Sequence, residues 1–165
     1  MKLDLICEDN DEYYTPEYAI TPLLKYLKPQ SIVWCPFDTT QSNFVKMLNV
    51  NNHNVISSHI TDNKDFFTYT PSENINYIIS NPPYSLKNEV LERLFKLQIP
   101  FAMLMGVVGI FESKFRFDLF KHNKFEVMYF NKRISYLVDY KYTNVFSNPP
   151  YSSVYIYVVR YYHNK

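Results

Sequence analysis

The chain has 165 residues, 47% of them hydrophobic, which excludes a disordered chain and suits one domain with a sizeable core. A formal net charge of +1, from 17 basic and 16 acidic residues, excludes a uniformly basic nucleic-acid binder, so any such contact needs a local patch. Two cysteines, Cys7 and Cys35, give neither a disulfide framework nor metal-ligand spacing, and no apolar run is long enough for a bilayer; a cytoplasmic, soluble protein without metal or membrane contact is expected.

After the acidic start "CEDNDEYY", the stretch "TPEYAITPLLKYLKP" predicts a helix with Thr15 as cap and Pro16 in the first turn. Ala19, Ile20, Leu23, Leu24 and Leu27 share its apolar face, and Pro22 is expected to disturb it. From Ser31 onward, short apolar runs alternate with amphipathic stretches. "SIVWCPF", "NVISSHI", "INYIIS", "PFAMLMGVV" and "KFEVMYF" read as strands. "NFVKMLNV", "SLKNEVLERLFKL" and "KFRFDLFKHN" read as helices, the second with Leu86, Val90, Leu94 and Leu97 spaced by three and four. "RISYLV" and "SSVYIYVVRYY" read as a closing hairpin. About seven strands with helices between the early ones predict a single α/β domain over residues 1–165, with a mostly parallel sheet covered on both faces and no separate target-recognition domain. In that architecture the ligand site lies at the carboxyl ends of the strands, where strand order reverses.

The hexapeptide "SNPPYS" occurs at Ser80–Ser85 and again at Ser147–Ser152. The first copy follows a buried strand and precedes a helix, which puts it at the expected ligand edge. The second precedes its strand. Asn-Pro-Pro-Tyr suits one kind of chemistry, the methylation of an exocyclic amino group. That nitrogen's lone pair is delocalised into its ring, so a site must hold the amine by acceptors and turn the lone pair toward an electrophilic methyl. Asn81 supplies a side-chain carbonyl. The carbonyl of Pro82 is a second acceptor, held rigid by Pro83, and Tyr84 is an aromatic face for a splayed-out base, a stack worth roughly 1–3 kcal/mol. The alternative is a double-proline turn that ends a strand, with Ser85 capping the next helix.

"IISNPPYS" resembles motif IV of the S-adenosylmethionine-dependent adenine-N6 methyltransferases, (Asn/Asp)-Pro-Pro-(Tyr/Phe). "DEYYTPEYAI" resembles the family's motif X, which implies that Tyr14, Thr15 and Pro16 contact the methionine end of the cofactor. "NKDFF" resembles motif III, implying that Asp65 binds the cofactor's adenine amino group and that Phe66 packs on that ring. "FSNPPYSSVYI" falls where motif VIII is expected, with Phe146 or Tyr151 against the target base. The resemblance spans nearly the whole chain in the gamma motif order and is greatest to small phage-encoded DNA adenine methyltransferases. It implies a Rossmann-like fold, S-adenosyl-L-methionine as cofactor and DNA as partner.

Motif I departs from the pattern. "WCPFDTTQSNF" keeps Pro36 and Phe37 but has Cys35 at the acidic position and lacks both glycines, which leaves Asp38 or Thr39 to contact the cofactor's amino-acid end. At the end of the next strand Ser57, Ser58, His59 and Asp62 are the candidates for the ribose, although His59 and His53 read more simply as turn or strand-end residues. Cys35 reads as a small core residue, Met103 and Met105 as strand packing, and Gly106 with Gly109 as a bend or a site wall. RNA adenine or a protein glutamine are alternative substrates, and a non-catalytic binder of nucleic acid or a partner is the alternative outside enzymology. Target specificity must be relaxed, come from the segments 107–123 and 132–147, or depend on a homodimer or partner protein. The candidates for a local basic patch are Lys121, Lys124, Lys132, Arg133 and Lys141, each of which reads more simply as a solvated surface residue.

Overall fold

The computed structural model describes residues 13–141 and 146–159, with Phe146 and Ser147 in backbone only. The acidic start, Cys7 and the end of the last predicted strand lie outside the described residues. Helix α1 spans Glu17–Leu24, β1 Ile32–Cys35, α2 Asn43–Val50, β2 Asn54–Ser57, β3 Tyr77–Ser80 and α3 Lys87–Leu97. Then follow β4 Phe101–Gly106, α4 Lys114–Phe120, β5 Glu126–Tyr129, β6 Tyr136–Leu137, β7 Phe146–Ser147 and β8 Ser153–Val158.

Six strands form one sheet in the order β2-β1-β3-β4-β8-β5. The pairs β1–β2, β1–β3 and β3–β4 are parallel, and β8 runs antiparallel to both β4 and β5. The architecture is the expected Rossmann-like α/β sheet, with one correction. "RISYLV" does not make a hairpin with β8; its Tyr136 and Leu137 pair with Ser147 and Phe146 in a separate two-stranded sheet. The strand beside β8 is β5, whose Glu126–Tyr129 matches Tyr157–Val154 in register.

Strand alternation sorts the core into two layers. Val33, Cys35, Tyr77, Ile79, Ala102, Leu104, Tyr155 and Tyr157 face α1 and α2. Trp34, Ile78, Phe101, Met103, Met105, Val154, Ile156 and Val158 face α3 and α4. The tyrosine abundance has a physical use here. Rings fill the core, and their hydroxyls bond backbone carbonyls, as Tyr155 does with Ala19 O (3.1 Å) and Tyr157 with Tyr26 O (3.2 Å). No helix among the described residues is long and apolar enough to cross a membrane.

Two helix starts differ from expectation. Pro16, rather than Thr15, holds the cap position of α1 and makes no side-chain cap bond. Leu86, rather than Ser85, precedes α3, after a 3-10 turn at Tyr84–Leu86. Pro22 lies inside α1, which ends two residues later.

Candidate functional site

Parallel strands place the loops after β1, β2 and β3 on one sheet edge. The chain runs outward from β1 to β2 and then crosses back to β3, so strand order reverses between β1 and β3. A cavity of about 460 Å³ opens there, within the usual range for small-ligand pockets. Pro36, Phe37, Asp38 and Thr39 line it from the β1 loop, His59 and Ile60 from the β2 end, and Asn81 and Pro83 from the β3 end.

The β1 loop does without glycine. Among the described residues, positive φ outside glycine is confined to Gln30, Asn52, Asn63 and Gln98, so residues 36–42 take ordinary backbone conformations. The loop is held through Asp38, a buried carboxylate at the cavity floor. Ser42 Oγ donates to Asp38 Oδ1 (2.5 Å), and Ser80 Oγ donates to Oδ2. Ser42 also caps α2, its Oγ accepting from Phe44 N (3.1 Å). Burial raises the Asp38 pKa to about 6, against the opposing pull of Ser42, Ser80 and His59. Near neutrality the group is therefore mostly ionised. With Asp65 it supplies negative charge to a cavity whose described lining has no lysine or arginine. Such a cavity suits a cation. Cys35 is fully buried behind it, its thiol pKa pushed up by burial and then by Asp38.

The chain segment before α1 forms another wall through Tyr13, Tyr14 and Thr15. Thr15 is buried and its Oγ1 has no hydrogen-bond partner, while its carbonyl accepts from Asn43 Nδ2 (3.0 Å). Tyr14 packs edge-on against Tyr140 at 4.7 Å. Tyr140 also lines the cavity, its pKa raised by burial and next by Asp38. Pro16 does not line the cavity.

Opposite stand Asp65, Phe66 and Phe67. Asp65 closes its own turn: Oδ1 accepts from Phe67 N (3.0 Å) and its carbonyl accepts from Thr68 N and Tyr69 N (3.1 and 2.8 Å). Phe66 is buried between Phe37 and Trp34, ring centroids 4.8 and 5.5 Å away. Of the ribose candidates, His59 reaches the cavity, accepting from Thr61 N through Nδ1 (3.3 Å). Ser58 is buried and accepts from Trp34 Nε1 (2.9 Å), and neither Ser57 nor Asp62 lines the cavity.

At the β3 end, Asn81 Nδ2 donates to the Tyr13 carbonyl (3.0 Å). Only the amide NH₂ can donate to a carbonyl, which fixes the side chain's orientation. Oδ1 is consequently an oriented acceptor, buried and without a partner. Pro82 is buried and does not line the cavity; Pro83 does. Tyr84 differs from the open stacking face expected of it. It is buried, stacked with Tyr13 (6.1 Å, 27°), and its hydroxyl bonds Tyr136 OH (3.0 Å) and Ser153 Oγ (3.4 Å). Burial, then Tyr136, holds its phenol protonated. Tyr151, from the second "SNPPYS", meets Tyr84 edge-on at 5.3 Å. The two copies therefore converge, although Tyr151 does not line the cavity and the Phe146 side chain lies outside the described residues.

The structure thus brings Tyr14, Thr15, Pro36, Phe37, Asp38, Asp65, Phe66, Asn81 and Pro83 to one cavity. It keeps Pro16, Pro82, Tyr84 and Tyr151 outside the lining. Sequence reasoning missed Tyr13, Ser42 and Tyr140. Ser42 was findable as a cap before "NFVKML"; Tyr140 sits in a polar, turn-rich stretch with no periodicity to flag it.

No protein-family model matches the sequence, and no curated protein matches it. Several solved structures resemble it, two of them as follows. One is a precorrin-6y C5,15-methyltransferase from Geobacter metallireducens GS-15, 13% identical over 90% of this chain and 94% of that one, with a TM-score of 0.49. The other is TrmN from Thermus thermophilus, 11% identical over 86% of this chain and 47% of that one, with a TM-score of 0.43. At these levels the likenesses carry no weight for chemistry or substrate.

Proposed function

We propose that this chain is an S-adenosylmethionine-dependent methyltransferase that modifies adenine N6 in DNA, with Asn81, Pro82, Pro83 and Tyr84 holding the base. The observation that carries this reading is the oriented, buried and unpartnered Oδ1 of Asn81 at the cavity edge. A buried acceptor without a partner costs roughly 1–3 kcal/mol, and a bound amino group relieves that cost.

The residues present fit the cofactor. The cavity has a suitable size, carries negative charge for a cationic ligand, and contains a second orphaned polar atom, Thr15 Oγ1. Asp38 and Thr15, with Tyr14, Pro36 and Phe37, would hold the amino-acid end, and Asp65 and Phe66 the nucleoside end. When bound, S-adenosylmethionine supplies an electrophilic methyl group on a sulfonium sulfur. The chain's own residues do the rest by positioning. Asn81 Oδ1 and the Pro82 carbonyl accept the two N–H groups of the amine and turn its lone pair toward the cofactor side. Once the methyl has moved from sulfur to this nitrogen, the resulting cationic nitrogen would lose a proton to solvent, so no strongly basic side chain is needed. A duplex base must be flipped out, and it stacks on Tyr84 once Tyr13 gives way. Sequence preference comes from segments 107–123 and 132–147 or from a partner subunit.

Calorimetry with S-adenosylmethionine, followed by labelled methyl transfer to duplex DNA, structured RNA and protein lysate, tests the proposal. Cofactor binding with label on DNA adenine supports it. Label confined to RNA or protein replaces the substrate, and no cofactor binding with no transfer overturns it.

A further inference from the structure

The loop that carries Asp65 and Phe66 has no regular secondary structure, so something else must fix its position. Arg93, on α3, does so in two ways. Nη2 donates both of its hydrogens, to the Tyr69 carbonyl (3.1 Å) and to Thr70 Oγ1 (3.0 Å). The guanidinium also lies over the Phe66 ring, 5.3 Å from its centroid. Arg93 Nε is buried without a partner, so the group is seated for the loop at the expense of one unsatisfied donor. Helix α3 follows directly on Asn81–Tyr84, so the same element anchors both the base-holding segment and the loop wall.

We infer that Arg93 is a positioning residue for the nucleoside end of the cavity: by holding Tyr69 and Thr70 and covering one face of Phe66, it sets Asp65 and Phe66 for a planar purine. This rests on the reading of that wall as the nucleoside side of the cofactor site. The physical basis is preorganisation. A loop fixed before binding loses less entropy on binding, and the Arg93 guanidinium over the buried Phe66 ring helps to hold that wall in place. Arg93 touches no reacting atom, so its effect falls on affinity and leaves the chemical step alone.

Trp34, the chain's single tryptophan, packs on Phe66 at 5.5 Å and Tyr69 at 6.3 Å, and its fluorescence reports on this wall. Adenosine, titrated into the full chain, is the probe. Arg93→Ala is expected to weaken adenosine binding about tenfold. Arg93→Lys, which keeps a cation near Phe66 but loses the planar fork, recovers part of that loss. With saturating DNA and the methyl-labelled cofactor varied, KM for the cofactor rises while kcat holds. Adenosine affinity within twofold of wild type in Arg93→Ala overturns the inference, as does a drop in kcat at unchanged KM. Should Arg93→Ala fail to fold, Arg93→Lys decides alone: an affinity below wild type supports the role and an unchanged one removes it. A wild-type chain that binds no adenosine overturns this inference together with the cofactor reading, whereas wild-type binding with indifferent variants removes Arg93 only.

Discussion

Ser80–Ser85 leaves a buried parallel strand and turns into a helix; Ser147–Ser152 leaves a two-residue strand and feeds the antiparallel β8. Both copies use two prolines to stiffen a turn, yet their surroundings separate them. Ser80 donates to Asp38, and Asn81 is anchored through Nδ2 with its carbonyl buried at the cavity. In the second copy Asn148 is exposed, and the chain's contribution is a carbonyl, Ser152 O, that accepts from Val107 N (2.8 Å). One copy presents polar atoms to a cavity. The other seats Tyr151 against the first copy's Tyr84. Identical letters do not give identical local structure: the first copy runs into a 3-10 turn at Tyr84–Leu86 and the second only bends before β8, and the neighbouring strand decides what each serves.

The sharpest way to break this contrast is to swap the expected roles of the asparagines. Asn81→Ala is expected to lower methyl transfer by about 100-fold or more, the scale of removing one preorganised polar contact to a reacting group, with cofactor affinity unchanged by calorimetry. Survival of activity in that variant would place the chemistry elsewhere.

Next in size is the first copy's link to Asp38. Its folded-state pKa of about 6 lies above the ordinary 3.8, so the folded chain binds this proton more tightly than the unfolded one. The resulting stabilisation is full below about pH 4 and is lost as pH rises through about 6, a difference of up to about 3 kcal/mol. Asp38→Asn should therefore melt at a higher temperature than wild type at pH 8, with the gap closing toward pH 4. Cofactor binding should weaken in the same variant. A gap that widens on acidification would contradict the assignment.

Gly106 sits where the two copies meet. A Cβ there would lie 3.1 Å from Tyr151 Cδ2 and Cε2 and 3.4 Å from Tyr84 Cδ2. Gly106→Ala is expected to cost about 1–2 kcal/mol in denaturant unfolding, since the crowded rings must shift. Tyr136→Phe, which removes the hydroxyl joining Tyr84 to Ser153, should cost about 1 kcal/mol by the same measurement. Asn148→Ala is the smallest, with activity and stability near wild type.

Much of the fold was legible because strand and helix periods are local. "IVW", "YIIS" and "FAMLMG" announced the buried strands, and the spacing of Val90 and Leu94 announced α3. The position of β8 was not legible, since nothing in "SVYIYV" says which two strands it separates. The cavity was half legible. Thr15, Asp38, Asp65 and Asn81 followed from motifs, but the burial of Tyr84 depends on Tyr13, Tyr136 and Ser153 arriving from distant segments. The glycine-free β1 loop had no local signature either: it is held by Ser80, reached across 42 residues.

The placement of β8 also bears on assembly. It fills the space between β4 and β5, yet among the described strands it is the furthest along the chain. Both of its pairings are non-local, Phe101 with Val158 and Glu126 with Tyr157, and among the described residues β5 joins the sheet only through β8, so closing the sheet rests on contacts of the kind that slow folding.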